Sequence, residues 1–518
     1  MSALYVRLHK TYTDTFEWYL CMIVTMKQLN SIELLTLVVQ LRRHGGDDGD
    51  TEAKRARESL PSSLWESISA FANVAGGRLL LGVDEKLGFQ VTGVSNPALF
   101  ESQIGELCAN QMEPPVRATI YTVEIEGLSV LVVDIPAIPR AQRPCHLRSK
   151  GAFAGSRLRV GDGDRKLSEY EVALLLGERN QPLHDRQPVT GSTTNDLDST
   201  ALSEFVSRLR KTRMQLFADR SDSEVLLLLN VLVDRDGKPL PTLAGLLAFG
   251  RYPQQFYPQL NITFVSYPGI EPGLEGSFGE RFLDNVAIDG NIPTMVKTAM
   301  GIVQRNMKHR STIQGAFRVD SPEYPLESIR EAIVNAMVHR DYGPYSLGMQ
   351  VQIEMYSDRL VVRNCGGLYG PIDPNDLGLV PATSARNQAL LKILEDAVAE
   401  PGRTVCENRG SGIYTMRRGL QLAHLPPPVF TDAVSTFTVS MGNQRHTEIR
   451  SSNTIKENVL AALSSTPKSR TEISELVHAD PQAVSSMLVQ LRKEGFATLL
   501  GAPRSRSSKW IKTTLGED

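Results

Sequence analysis

The sequence of 518 residues is short of three things that would each have narrowed its function: cysteine, net charge and a long apolar run. Its five cysteines, Cys21, Cys108, Cys145, Cys365 and Cys406, are odd in number, far apart and without a CxxC pair. That excludes a disulfide framework and a paired-cysteine zinc site, and points to a reducing compartment. A formal charge of −2 leaves no global field to draw the chain onto nucleic acid or a membrane, so such binding must come from a local basic patch. The segment that most resembles a targeting signal, "WYLCMIVTM" from Trp18 to Met26, is far shorter than the roughly 20 apolar residues of a membrane span. It follows several charged residues, and no small-residue cleavage site comes after it. The sequence therefore predicts a cytoplasmic protein that makes no membrane contact. No repeat of solenoid period is present either.

What is present is an α+β multidomain pattern, since a chain of this length exceeds one hydrophobic core. Residues 1–45 read as an extension ending in the helix "SIELLTLVVQLRR", with Ser31 as its cap and arginines in its last turn. Residues 46–180 hold a helix over 61–73, a Gly76-Gly77 turn, an apolar strand over 78–83 and an alternating hairpin turned at Glu126-Gly127. A basic, glycine-punctuated loop follows, and then a helix with a capping box between Ser168 and Glu171. The polar stretch 181–200 reads as a linker, 201–320 as a mixed connecting domain, and 321–442 as a further α/β unit. After another polar break, 453–518 reads as three helices and a two-stranded wing.

Chemistry concentrates in the fifth of these segments. In "EAIVNAMVHRDYG", Glu331, Asn335 and His339 recur every four residues and so share one helix face. The alternative is a solvated polar face. Asn364, Gly366 and Gly367 end the strand of "DRLVVRNCGGLYG", and Arg409, Gly410 and Gly412 precede the helix of "NRGSGIYTMRRGL". Thr436 and Thr438 lie on a later strand. Glycines before a helix let backbone N–H groups approach a phosphate at the positive end of the helix dipole.

In that order, "EAIVNAMVHRDY", "RLVVRNCGGL", "TSARNQALLKIL" and "RGSGIYTMR" resemble the GHKL ATPases, and more closely the divergent GHKL-type domain of bacterial transcriptional regulators. The resemblance covers about 120 residues. It implies an α/β sandwich that binds ATP and Mg2+, with Asn335 on the magnesium ion and Glu331 as general base for a weak hydrolysis. It also implies Asn364, Gly366 and Gly367 against the nucleotide, Arg409, Gly410 and Gly412 as a lid at the phosphates, and His339 and Thr438 lining the site. The superfamily carries an aspartate that accepts from the adenine amino group where this sequence has Asn364.

The first unit has its own resemblance. "SLWESISAFANVAGGRLLLGVDE", with "DTEAKRA" before it, is similar to the Schlafen AlbA-like domain, an α+β nucleic-acid-binding fold that in some members is a metal-dependent RNase. Asp47, Glu52 and Asp84 are the candidate metal ligands, because a nuclease needs converging carboxylates to hold a hard cation against phosphate. The bland reading is that Asp84 and Glu85 merely end a strand. For binding, Arg140, Arg143, Arg148, Lys150, Arg157 and Arg159 flank the glycine-rich loop as candidate phosphate contacts, or form a solvated basic loop.

The last unit resembles a winged helix-turn-helix. A helix opening at Pro481 would enter the major groove with Gln482, Ser485, Ser486 and Gln490, while Arg504, Arg506 and Lys509 of the wing would reach phosphate or the minor groove. Such folds also serve as protein–protein modules. Together these readings predict an ATP-binding, DNA-binding transcriptional regulator, with a homodimer matching a palindromic site. The alternative is a defence-type ATPase or nuclease acting on RNA or DNA.

Overall fold

The computed structural model describes residues 27–443 except 48, 162, 275, 277–278, 315–316, 371, 373–376, 379–383, 401–402 and 407–409. Beyond them it describes 456, 458–460, 462–463, 467–477, 481–493, 496–500 and 509–513.

Helix α1, Ser31–His44, is capped by Asn30 rather than by Ser31. The Asn30 side chain accepts the N–H groups of Ile32 and Glu33, and the Glu33 carboxylate accepts the Asn30 N–H in return. Strand β1, Thr51–Lys54, helix α2, Leu64–Ala72, and strands β2, Gly76–Leu81, β3, Thr119–Ile125, and β4, Leu128–Pro136, follow. The strands form one sheet in the order β1-β2-β4-β3, with β1 and β2 parallel and the other pairs antiparallel. Leu79, Leu81, Leu131 and Val133 bury one face under α2 residues such as Ile68 and Phe71. Leu80, Val130 and Val132 bury the other under Leu34 and Val38 of α1. Cover on both faces explains why β2 reads as an unbroken apolar run.

The "SAFAN…GG" signature has a local cause. A Cβ at Gly77 would overlap the Phe71 ring, and one at Gly76, where φ is +88°, would stand 2.7 Å from the Ile135 carbonyl oxygen. The Asn73 amide donates to the carbonyls of Cys145 at 2.8 Å and Arg157 at 2.9 Å, and its oxygen accepts the Cys145 N–H at 2.7 Å. The motif thus seats α2 on the sheet and pins the basic loop to the helix. Strands β5, Arg157–Val160, and β6, Gly163–Lys166, form a hairpin leading to α3, Glu169–Gly177, whose Ser168–Glu171 capping box forms as expected.

The division expected at 320 is not a boundary between cores. Helices α4, Ser199–Thr212, and α5, Leu243–Phe249, precede strands β7, Ile262–Ser266, and β8, Asp284–Ile288, and helix α6, Ile292–Asn306. Helix α7, Leu326–His339, is followed by β9, Val351–Met355, β10, Arg359–Cys365, α8, Gln388–Leu394, α9, Gly412–Leu422, β11, Val429–Asp432, and β12, Thr436–Gly442. Both sets contribute to one sheet in the order β8-β7-β9-β10-β12-β11. One buried cluster runs from Val189 to Met441.

The stretch 181–200 is likewise no free linker. Val189 is part of that cluster, and the Gln181 amide donates to the Arg386 carbonyl at 2.8 Å. The Asp185 carboxylate accepts the N–H groups of Ala389 and Leu390 at 2.8 and 3.0 Å, capping α8 from outside the helix. At the C-terminal end, helices α10, Arg470–Val477, and α11, Pro481–Lys493, pack with a three-stranded antiparallel sheet of Lys468–Ser469, β13, Ala497–Leu500, and β14, Lys509–Lys512.

Candidate functional site

Helix α7 turns its apolar face, including Ile329, Ile333 and Met337, into the central core. Glu331, Asn335 and His339 lie on another face and line a cleft of about 680 Å³ with Ser384, Ala385, Lys392, Arg403, Gly410, Ser411 and Gly412. The polar spacing in the sequence therefore marks a concave site. Arg330 holds Glu331 in place: its Nη1 donates to Glu331 Oε1 at 2.7 Å, and its Nη2 donates to the carbonyls of Thr404 at 3.1 Å and Val405 at 2.7 Å. Asn335 is different, because its buried Nδ2 has no hydrogen-bond partner. An orphaned amide at the wall of a polar cleft is a group awaiting a ligand or water.

Opposite stands the N-terminus of α9, which has no side-chain cap. A Cβ at Gly412 would come within 2.5 Å of Glu331 Oε2 and 3.3 Å of Asn335 Nδ2, so a larger residue there would have to push the Glu331 carboxylate aside. Gly410 takes a φ of +66°. His339 is half-buried at the inner end of the cleft, where burial and then the Arg386 charge push its pKa down to about 4. One unpartnered amide, glycine backbone at a helix N-terminus and the cations Arg330, Lys392 and Arg403, the first paired with Glu331 and the second with Glu395, stand beside the acids Glu327 and Glu331, a set that fits a phosphate group carrying a divalent ion. Sequence reading missed those three cations and Ser384, since isolated basic and hydroxyl residues carry no periodic signal.

Four expected residues are not brought to the cleft. Gly366 abuts Asp341 and Arg386, and a Cβ there would overlap the Arg386 guanidinium. Gly367 is enclosed by Asp432, Arg140 and the Val434 carbonyl in the same way. Asn364 is buried, and its amide leans on the Cys365 carbonyl at 3.3 Å. Thr438 pairs with Arg363, one register step from the core pair Val362–Val439, so the alternation of the strand turns it to the opposite face of the sheet. Arg409 lies outside the described residues.

In the first unit the acidic residues do not assemble as metal ligands: among the described residues no group of three or more His, Cys, Asp and Glu could hold an ion. Glu52 is paired with Lys54 at 2.5 Å and Arg159 at 3.0 Å and accepts from Ser67 at 3.1 Å. Asp84 accepts the Lys86 N–H at 3.1 Å, with Arg55 at 3.9 Å. Asp47 accepts the Ala53 N–H, and burial, followed by the charges of Glu85 and Glu52, pushes its pKa up to about 6. Arg159 is itself buried among Asp47, Glu52 and Asp164, so it is an internal counter-ion and cannot reach nucleic acid. Arg143 is spent on the carbonyls of Ile138 and Val74, and Arg140 on Glu178 and Asp432. Arg148 and Lys150 are exposed, and Lys150 and Arg157 lie 5.3 and 4.6 Å from the Trp65 ring centroid.

On α11, Ser486 and Gln490 are exposed and Ser485 half-buried, while Lys509 is exposed on β14. The side chain of Gln482, and Arg504 and Arg506 altogether, lie outside the described residues. No helix among the described residues is long and apolar enough to cross a membrane.

Two of these units match known families. Residues 47–168 match the family described as Schlafen, AlbA_2, and residues 348–441 match the putative ATP-dependent DNA helicase recG C-terminal family, HATPase_c_4. The chain thus carries a Schlafen AlbA_2 domain and an ATPase-like domain within a mixed α+β architecture, a combination associated with nucleotides and nucleic acid. The intervening residues 174–263 match a domain of unknown function, DUF8451. Among solved structures, the DIP2311 protein from Corynebacterium diphtheriae is 19% identical over 93% of this chain and 97% of its own, with a TM-score of 0.37. The N-terminal domain of a putative ATP-dependent DNA helicase RecG-related protein from Nitrosomonas europaea is 26% identical over 25% of this chain and 92% of its own, with a TM-score of 0.21. Among curated proteins, none matches.

Proposed function

We propose that the cleft beside α7 is a nucleotide and Mg2+ site, and that its occupancy acts as a switch for nucleic-acid-binding parts of the same chain. The observation that carries this reading is the partnerless Asn335 Nδ2 facing the glycine-built N-terminus of α9. In this reading Asn335 contributes its amide group to the metal–phosphate unit, Gly410 and Gly412 bring backbone N–H groups to phosphate, and Lys392 and Arg403 offset its charge. Glu331, steadied by Arg330, is the base available to a water molecule, which makes slow ATP hydrolysis the enzymatic part of the proposal.

Nucleic acid is assigned to two faces. One is the exposed pair Arg148 and Lys150, the latter over the Trp65 ring beside a half-buried Arg157 that is paired with Glu66, which suits sequence-independent phosphate contact. The other is residues 453–518, read as a winged helix-turn-helix in which Ser485, Ser486 and Gln490 of α11 face the major groove and Lys509 the backbone. The physiological role that follows is a DNA-binding regulator, with a homodimer as the form that reads a palindrome. A switch of this kind works only if nucleotide binds one arrangement of the domains better than another.

Calorimetric titration of ATP with Mg2+ into the full chain tests the site. Asn335→Ala is expected to weaken binding at least tenfold, whereas Glu331→Ala is expected to bind normally and release no phosphate. Equal affinity of the wild type and Asn335→Ala would remove Asn335 from the site.

A further inference from the structure

The inner end of the cleft and the stem of the basic loop are joined by one buried polar chain. His339, Ser384 and Ala385 line the cleft, and Arg386 and Asn387, which follow them, are strapped to the last turn of α7. Arg386 Nη1 donates to the His339 carbonyl at 3.0 Å, and the Asn387 amide donates to the carbonyls of Val338 and Arg340, each at 2.8 Å. Helix-end carbonyls have no partner inside the helix, so these bonds hold the cleft wall and Arg386 as one piece. The other side is built alike. Arg386 Nη2 donates to the Glu178 carboxylate, and Glu178 accepts from Arg140 Nε at 3.1 Å. Its neighbour Arg179 donates to the carbonyls of Arg143 at 3.1 Å and Gln142 at 3.2 Å. Residues 140–143 lead directly into the exposed Arg148 and Lys150. Arg140 Nη1 also donates to Asp432 of β11 at 2.6 Å, which closes the chain back onto the ATPase-like domain.

The chain has a built-in reason to rearrange. The side chains of Arg386, Glu178 and Arg140 are 1, 2 and 8% exposed, yet Arg386 Nε and Arg140 Nη2 have no hydrogen-bond partner. A buried donor without an acceptor is unfavourable, so an exchange of acceptors along the chain gains what the present pairing forgoes. Any ligand contact that shifts the last turn of α7, or Ser384 and Ala385, shifts the anchors of Arg386. Coupling between distant sites needs an element of this kind, with two arrangements that both sites bias. We infer that the chain Arg386–Glu178–Arg140 couples the cleft to the basic face of the AlbA_2 domain, so that nucleotide in the cleft and nucleic acid at Arg148 and Lys150 alter each other's affinity. This rests on the nucleotide reading given above and names the face on which the switch acts and the residues that carry it.

The experiment measures binding of a fluorescein-labelled single-stranded DNA of random sequence to the full chain by anisotropy, with and without saturating ATP and Mg2+. Calorimetry gives the ATP affinity with and without the DNA. The expected result is a change of about fivefold or more in DNA affinity on adding nucleotide, matched by the same factor in ATP affinity on adding DNA, as linkage requires. Arg148→Ala/Lys150→Ala is expected to weaken DNA binding at least tenfold. Glu178→Gln is expected to bring the coupling factor to within twofold of one while each ligand alone binds as in the wild type. Arg140→Met/Asp432→Asn, which removes both members of a crossing pair together, is expected to do the same and serves if Glu178→Gln does not fold. In the wild type, ATP is also expected to change amide exchange over residues 140–150, and unchanged exchange there overturns the coupling whatever the variants do. A factor that survives in either folded variant overturns it, as does DNA that fails to bind or binds Arg148→Ala/Lys150→Ala equally well. A wild-type factor of one, with ATP and DNA each bound, overturns it and leaves the nucleotide reading standing. Absence of ATP binding removes both.

Discussion

At the scale of single residues, the same polar types are divided between those held for structure and those left available. Glu52, a candidate metal ligand in the sequence, and Arg159, a candidate phosphate contact, are consumed by each other, and Asp341 is held by the Tyr170 hydroxyl at 3.1 Å and the Gly343 N–H at 2.8 Å. His339 shows what burial does to a titratable group. Its folded pKa of about 4 lies below the ordinary 6.5, so between those values the unfolded chain binds more protons than the folded one. The stability tied to a neutral His339 is complete above about pH 6.5 and is lost as pH falls towards 4. At about 1.4 kcal/mol per pKa unit, and discounted for partial exposure, the loss is about 2 kcal/mol. His339→Gln is expected to flatten that part of the curve, and urea unfolding at pH 7.5 and 4.5 measures it. An identical pH dependence in the variant would show that the imidazole does not titrate in this way.

At the scale of elements, α8 is the clearest case of a helix completed by a distant segment. It has no side-chain cap of its own, and the Asp185 carboxylate, held in a buried setting that raises its pKa, supplies one from 204 residues away in sequence. Asp185→Ala is expected to cost about 1–2 kcal/mol, the usual worth of an N-cap, and to accelerate amide exchange at Ala389 and Leu390. Protection unchanged at those two amides would refute the cap. Local order of this sort was legible in the sequence wherever its cause was local. The Ser168–Glu171 box, the helix containing Glu331, Asn335 and His339, and the glycines before α9 all followed from spacing. The Asp185 cap and the burial of Arg159 were not legible, because Ala389 lies 204 positions from Asp185 and Glu52 lies 107 from Arg159, and a charged residue with so distant a partner reads as surface. Thr438 was misplaced for another reason: a shift of one residue along a strand reverses the face, and the sequence alone gives no register.

At the scale of the whole molecule, buried charge ties the AlbA_2 domain to the ATPase-like domain through Arg140–Asp432, and ties Glu178, just beyond the AlbA_2 match, to Arg386 of the ATPase-like domain. Removing one member of a buried pair strands the other, typically at about 3–5 kcal/mol. Glu178→Gln is therefore expected to lower stability by that order in urea unfolding. The double variant Glu178→Gln/Arg386→Met is expected to lose less than the sum of the singles, and strict additivity would show that the two residues are not coupled. The shared sheet carries a consequence for how this protein can be divided. A piece starting at residue 321 would leave β9 without β7 and β8, exposing a raw hydrogen-bonding edge of apolar residues, a template for self-association. The portion that gene rearrangement or an engineer could transplant intact thus begins before Val189, and the apparent module borders inside it are not places to cut.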